Sequence, residues 1–164
     1  CGKSYEPIID GAIFEAGSQG VQPGSLGGKI YDSQAKPSIG MHPNAGITFD
    51  LNAIRSAMPE IEIERFRAVC GVSENVVRFA ARDSDPNAIK VGFWVLVDGQ
   101  VRFFRELKAV PAQAEPIDIA LRPSDRFLTL VTAHPGEYQY CWSLFAEPAL
   151  ELTTKKPAAA YKNP

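Results

Sequence analysis

Histidine is scarce and cysteine is odd in number: two and three residues among 164. Three cysteines close no disulfide framework. The spacing of Cys1, Cys70 and Cys141 fits no zinc pattern, and His42 and His134 are too few for an ordinary metal enzyme. No Gly-x-Ser-x-Gly elbow is present. A Cys141–His134 dyad has only shared loop placement in its favour, and no carboxylate stands in a context suggesting glycoside cleavage. The sequence therefore argues against an enzyme. No window approaches the ~18 apolar residues of a membrane span. An excess of one charge is lacking too. Seventeen Lys and Arg stand against 19 Asp and Glu, a formal net charge of -2. That supplies no field to draw nucleic acid or an anionic membrane. Sustained helical periodicity is likewise absent.

What the chain has is alternation, punctuated by turns. A single domain of this length buries roughly 70% of its unfolded surface and needs no staple to fold. Ile47, Phe49 and Leu51 alternate with Thr48 and Asp50, the period of a half-buried strand. Asn52 to Met58 predicts a short helix capped by Asn52 and ended before Pro59. Ile61 and Ile63, then Phe66, Ala68, Cys70 and Val72, are out of phase by one residue, which predicts a bulge or a turn between two strands. Val91 to Val97 and Val101 to Leu107 flank Asp98-Gly99, a strong hairpin signal. The first of these strands is apolar on both faces and is expected to be central. Ile117 to Leu121 and Phe127 to Thr132 predict two more strands. Trp142 to Leu152 predicts a last one, placed at an edge by Pro148. Short strands are also expected at Ala12 to Glu15 and Lys29 to Tyr31.

Gly17 to Gly28 has five glycines and a proline in twelve residues, which predicts irregular chain. It lacks the Gly-Lys-Ser/Thr ending and the following helix of a phosphate loop. Ser73 to Asn87 reads as loop with one apolar patch. The total is about eight or nine short strands with minimal helix, an all-β sandwich or jelly roll. Residues 1–152 form one domain, and 153–164 read as a tail or linker. Cys70 sits in an apolar strand, as a buried thiol does; a bridge to Cys141 is the alternative. Cys1 is either simply where the chain starts or an acylated residue left by lipoprotein cleavage.

Sugar recognition needs a flat aromatic under the ring and a few polar groups for its hydroxyls. The loop from Pro135 to Trp142 offers Glu137, Tyr138, Gln139, Tyr140 and Trp142. The turn before the Ile47 strand offers His42 and Asn44, and a further strand-end loop offers Glu74 and Asn75. These make a candidate carbohydrate-binding rim of His42, Asn44, Glu74, Asn75, Glu137, Tyr138, Tyr140 and Trp142. The competing use of the aromatics is to close the end of the core, and that of His42 is to brace its loop. Asp83 and Asp85, beside Asn87, are weak candidates for a calcium ion, against the plainer reading of a solvated turn.

The order of short motifs resembles one family. Gly40-Met41-His42-Pro43-Asn44 followed by Ile47 to Leu51, Phe66 to Gly71, Val91 to Gly99, Ile117 to Leu121 and Leu128 to Val131 run in the register of the novel putative carbohydrate-binding module, NPCBM. The resemblance covers about residues 24–152. It implies a galactose-binding-like β-sandwich, appended to a secreted, periplasmic or cell-surface multidomain protein. It further implies binding to galactose-type glycans and, in some members, a structural calcium. The chain departs from the pattern after the Leu-Val strand. Cys141 stands where an aspartate is typical, and Phe145 where a tryptophan precedes Ala146-Glu147-Pro148. The functional expectation is thus a non-catalytic carbohydrate-binding module. A structural or protein–protein module that has lost sugar binding is the alternative.

Overall fold

Side-chain alternation becomes sheet along most of the described residues. The computed structural model describes residues 8–9, 12–14, 21–31, 36–81, 85–135 and 140–155. Its strands are β1 (Ile8–Ile9), β2 (Ala12–Phe14), β3 (Val21–Leu26), β4 (Lys29–Tyr31), β5 (Ser38–Met41), β6 (Ala45–Asp50), β7 (Ile61–Val72), β8 (Lys90–Val97), β9 (Gln100–Lys108), β10 (Ala114–Ala120), β11 (Phe127–Ala133) and β12 (Ser143–Thr154). Helices α1 (Leu51–Ala57) and α2 (Asn75–Ala80) are short. One five-stranded sheet runs β1-β5-β12-β7-β10 and a four-stranded sheet runs β6-β11-β8-β9, with β2-β3-β4 as a third group. Every pairing among the described residues is antiparallel.

The two larger sheets form a sandwich around one core. Val91, Phe93, Val95 and Val97 of β8 and Leu128 and Leu130 of β11 face Phe66, Ala68, Cys70 and Phe145 of the other sheet, all buried. Phe93 meets Phe145 edge-on, with centroids 5.6 Å apart, a favoured aromatic geometry. As expected, β8 is central, between β11 and β9. Asp98 and Gly99 turn the hairpin with φ of 51° and 77°, which fits a two-residue primed turn. The Asp98 carboxylate also ties the hairpin to β11, accepting from the Phe127 and Arg126 amides at 2.8 and 3.0 Å. The phase slip in β7 is a bulge within one strand. Arg65 pairs with Glu151 and Ile63 with Leu152, so Glu64 has no opposite residue.

Four expectations are corrected. Val21–Leu26, expected to be irregular, is strand β3. Its glycines serve close packing and turning: a Cβ on Gly24 would lie 2.6 Å from Leu144 Cδ1, and Gly27 and Gly28 turn into β4 at φ of 59° and 70°. Strand β12 is central, between β5 and β7, and not at an edge. Pro148 is tolerated there because pairing lapses between Ala146 and Ala149. The Ser73-to-Asn87 stretch contains α2, which buries Val76 and Ala80 four residues apart on one face. Helix α1 is capped two residues earlier than expected. Asp50, not Asn52, accepts from the amides of Asn52 and Ala53 at 2.9 and 3.0 Å.

Cys70 and Cys141 are both free and buried. Burial pushes their thiols up to about 12 and about 11, so neither is a thiolate nucleophile near neutral pH.

Gly71 reports on how tightly the third group packs against the five-stranded sheet. A Cβ there would lie 2.4 Å from the Gln113 carbonyl oxygen and from Leu26 Cδ1. Gly71→Ala is expected to cost about 2 kcal/mol, in the usual range for overpacking. Urea denaturation with an unchanged m-value is the check, and a midpoint equal to wild type would contradict the packing described.

Candidate functional site

Three strand ends lie level at one end of the sandwich. Ser143 of β12 pairs with Met41 of β5 on one side and with Val72 of β7 on the other. The residues just beyond these strands, His42, Trp142 and Ser73, therefore emerge together. This brings the segments carrying His42, Asn44, Glu74, Asn75, Tyr140 and Trp142 to one end. Glu137 and Tyr138 lie outside the described residues.

The His42-to-Asn44 turn is tied to β11. Asn44 has a left-handed φ of 63°, which asparagine tolerates better than most residues. Its amide donates to the Thr132 carbonyl at 2.9 Å, and its Oδ1 accepts from the His134 amide at 3.2 Å. The Thr132 hydroxyl donates to the His42 carbonyl at 3.4 Å. Asn44 thus shapes the turn while remaining exposed, and His42 is half-buried. Burial pushes the His42 imidazole below its ordinary value, so near neutral pH it is an uncharged donor and acceptor.

The other side of this end is held by Ser73 and Glu74. The Ser73 amide donates to the Trp142 carbonyl at 2.8 Å, and the Ser73 hydroxyl accepts from the Ser25 amide at 3.2 Å. The Glu74 carboxylate accepts from the Gly28 amide at 3.0 and 3.2 Å. Glu74 was expected at a sugar; the structure places it as a brace on the β3–β4 turn. Asn75 opens α2. Trp142 was expected to stack on a ligand. At 6% exposure it belongs to the core, where a large indole fills the end of the sandwich. Tyr140 is only partly buried, stands at φ 64°, and lies 6.4 Å from Trp142 between ring centroids. Of the described aromatics proposed for the rim, it is Tyr140 that retains open surface.

Two contributors escaped the sequence reading, Ser73 and Thr132. Thr132 carried a signal, since it occupies an inward position after Leu128 and Leu130 and is fully buried. A hydroxyl there needs a partner, and the His42 carbonyl provides one. Asp85 caps the turn at Pro86–Ala88, accepting from the Asn87 amide and side chain at 2.9 and 2.8 Å. Asp83 lies outside the described residues. Among the described residues, no three His, Cys, Asp or Glu side chains gather as a metal site. No described helix is long and apolar enough to cross a membrane.

No protein-family model and no curated protein matches the chain. Solved structures match its fold. A CBM51 module from Clostridium perfringens GH95, solved with methyl-galactose, aligns with a TM-score of 0.58 and 14% identity, over 76% of this chain and 75% of its own. The tandem CBM51 modules of a family 98 glycoside hydrolase from Streptococcus pneumoniae give 0.60 and 15% identity, over 84% of this chain and 38% of theirs. The CBM51-2 and INT domains of Clostridium perfringens ZmpB, with GlcNAc, give 0.56 and 15% identity, over 74% of this chain and 22% of that one. This chain has the galactose-binding-like β-sandwich of the CBM51 modules. NPCBM itself stays a resemblance, since no family model carries it.

Two predictions test this end. Asn44→Ala is expected to cost about 2 kcal/mol, from a left-handed alanine and a lost hydrogen bond. Asn44→Gly keeps the backbone and should cost about half of that; equal costs would remove the φ argument. For His42, the folded state binds its proton less readily than the unfolded chain. Stability is then fully present above the unfolded value of about 6.5 and is lost as pH falls below it, towards the lower folded value. Chemical denaturation from pH 7.5 to 5.5 should show this loss in wild type and less of it in His42→Gln. Parallel curves would show that His42 does not carry it.

Proposed function

We propose that the chain is a non-catalytic carbohydrate-binding module of a secreted or envelope-associated multidomain protein, for glycans that include galactose. The likeness to CBM51 modules carries this reading. One of them is solved with methyl-galactose and another with GlcNAc. The loop end supplies suitable chemistry. Tyr140 offers an aromatic face, and uncharged His42 and exposed Asn44 offer hydrogen bonds. Chain turns fixed by backbone hydrogen bonds lose little freedom on binding, so less of the contact energy is consumed in ordering them.

A second reading has its own support: a structural or protein–protein module on the same fold. Two of the rim residues, Trp142 and Glu74, are engaged in holding the sandwich end together, and Cys141 replaces the acid of the related pattern.

A glycan array followed by calorimetry with methyl-galactose and GlcNAc decides between them. Saturable binding at millimolar sugar or below is expected. Tyr140→Ala, which leaves the left-handed backbone equally strained, should weaken it at least about fivefold, the ~1 kcal/mol of an aromatic contact residue. No binding of any sugar at millimolar concentration would leave the second reading.

A further inference from the structure

A second aromatic arrangement lies on the outer face of the four-stranded sheet. Val91, Phe93, Val95 and Val97 point inward and are buried, so Gly92 and Trp94 of β8 face outward. Glycine weakens the interior of a strand, and there it often marks a close approach. Here the indole makes that approach. A Cβ on Gly92 would collide with Trp94 Cη2 and Cζ3. The six-membered ring therefore lies over Gly92, along the strand. An indole laid against the sheet turns its far face outward, and Trp94 is only partly buried. Phe104, directly opposite on β9, extends the surface. The two ring centroids are 4.6 Å apart with the planes at 31°, and Phe104 is 44% exposed.

Charged groups stand at the edge of this surface. Glu106 is the residue opposite Gly92, next to the seat of the indole. Lys90 meets it, Nζ to Oε1 at 3.0 Å, and both side chains are nearly half exposed. An aromatic face with a carboxylate and an ammonium at its edge suits a pyranose. The apolar face of the sugar stacks, and its hydroxyls both donate and accept. An apolar protein side chain would desolvate the ion pair and return no hydrogen bond to it. The surface also adjoins the loop end. Gly92 pairs with Ala133 of β11, and the next amide, that of His134, donates to Asn44. Two strand spacings, about 10 Å, thus separate the seat of the indole from the Asn44 turn.

We propose that Trp94, Phe104, Glu106 and Lys90 form a further sugar subsite, and that the ligand is an oligosaccharide running from the loop end onto the sheet face. The subsite rests on the glycan reading for the class of its ligand.

A linear tetrasaccharide of alternating galactose and GlcNAc serves as the probe. Titrated into the isotopically labelled protein, it should shift the Trp94 indole and Glu106 amide resonances along saturable curves, together with those of Asn44 and Tyr140. Calorimetry should show it binding at least about fivefold more tightly than methyl-galactose, because the second contact adds to the first. Trp94→Ala and the size-conserving Glu106→Gln should each bring the tetrasaccharide down towards the methyl-galactose affinity. Shifts confined to Asn44 and Tyr140, or equal affinities for the two sugars, overturn the proposal and leave the glycan reading standing. Saturable shifts nowhere overturn both. A Trp94 signal that moves with protein concentration in the absence of sugar makes this face a contact between copies, and overturns the proposal as well.

Discussion

The double pairing of β12 is the constraint on which the loop end of this molecule depends. Residues Ser143 to Ala146 bond β5 on one side and β7 on the other. That fixes the register of three strands at once, because a slip of one residue would turn Phe145 away from Phe93. With the register set, His42, Ser73 and Trp142 must leave the sheet at the same level. Further along the same strand, pairing with β7 lapses at Glu147 and Pro148, where the Glu147 amide donates to the Pro37 carbonyl. One strand thus positions the polar end by pairing on both sides in its first part, and ties itself to the entry of β5 where its pairing with β7 is interrupted.

The polar groups at the loop end act mainly on backbone. Ser25, Ser73, Thr132 and Ser143 are all buried. The Ser73 and Thr132 hydroxyls bond main-chain groups of neighbouring segments, and the Ser143 hydroxyl donates to the Cys141 carbonyl at 3.2 Å. An unpaired buried hydroxyl costs about 1–3 kcal/mol, so these small side chains specify which loop lies beside which. The result is a collar of hydrogen-bonded turns on which exposed Asn44 and partly buried Tyr140 stand. Ion pairs serve elsewhere. Arg65 and Arg67 pair with Asp118 and Glu151 on the outer face of the five-stranded sheet, where all four are substantially exposed. Exposed pairs contribute little each, and their value here is to keep that face wet and charged.

The fold was legible wherever side-chain alternation set it. The Asp98-Gly99 hairpin, central β8 and the bulge in β7 all follow from period-two patterns and turn chemistry. What stayed hidden was set by partners distant in sequence. Gly24 looks like loop punctuation until Leu144 is seen to need its space. Pro148 looks like an edge marker until Glu147 is seen to give its amide to Pro37. Of the rim, the clustering of the His42, Glu74 and Tyr140 segments was readable, because each follows or precedes a strand. The fate of each side chain was not. Trp142 and Tyr140 are two residues apart and alike in chemistry, yet one is core and the other partly open.

The departure of this chain from the related pattern at Cys141 and Phe145 has a physical sense. Phe145 points into the core against Phe93 and is fully buried. Cys141 is 1% exposed. An ionised aspartate at such a position would face a desolvation penalty of several kcal/mol, unless a partner charge or several donors met it. The buried thiol removes that demand, and the backbone around it is instead fixed by Ser143 and Ser73. In the proposed carbohydrate site, ligand contact would come from residues that reach past the core. Among the described residues of the rim, Asn44 is exposed and His42, Asn75 and Tyr140 are partly so, and Asn44 and Tyr140 are held in left-handed conformations. On the proposed reading, a surface placed on hydrogen-bonded turns is fixed before any ligand arrives.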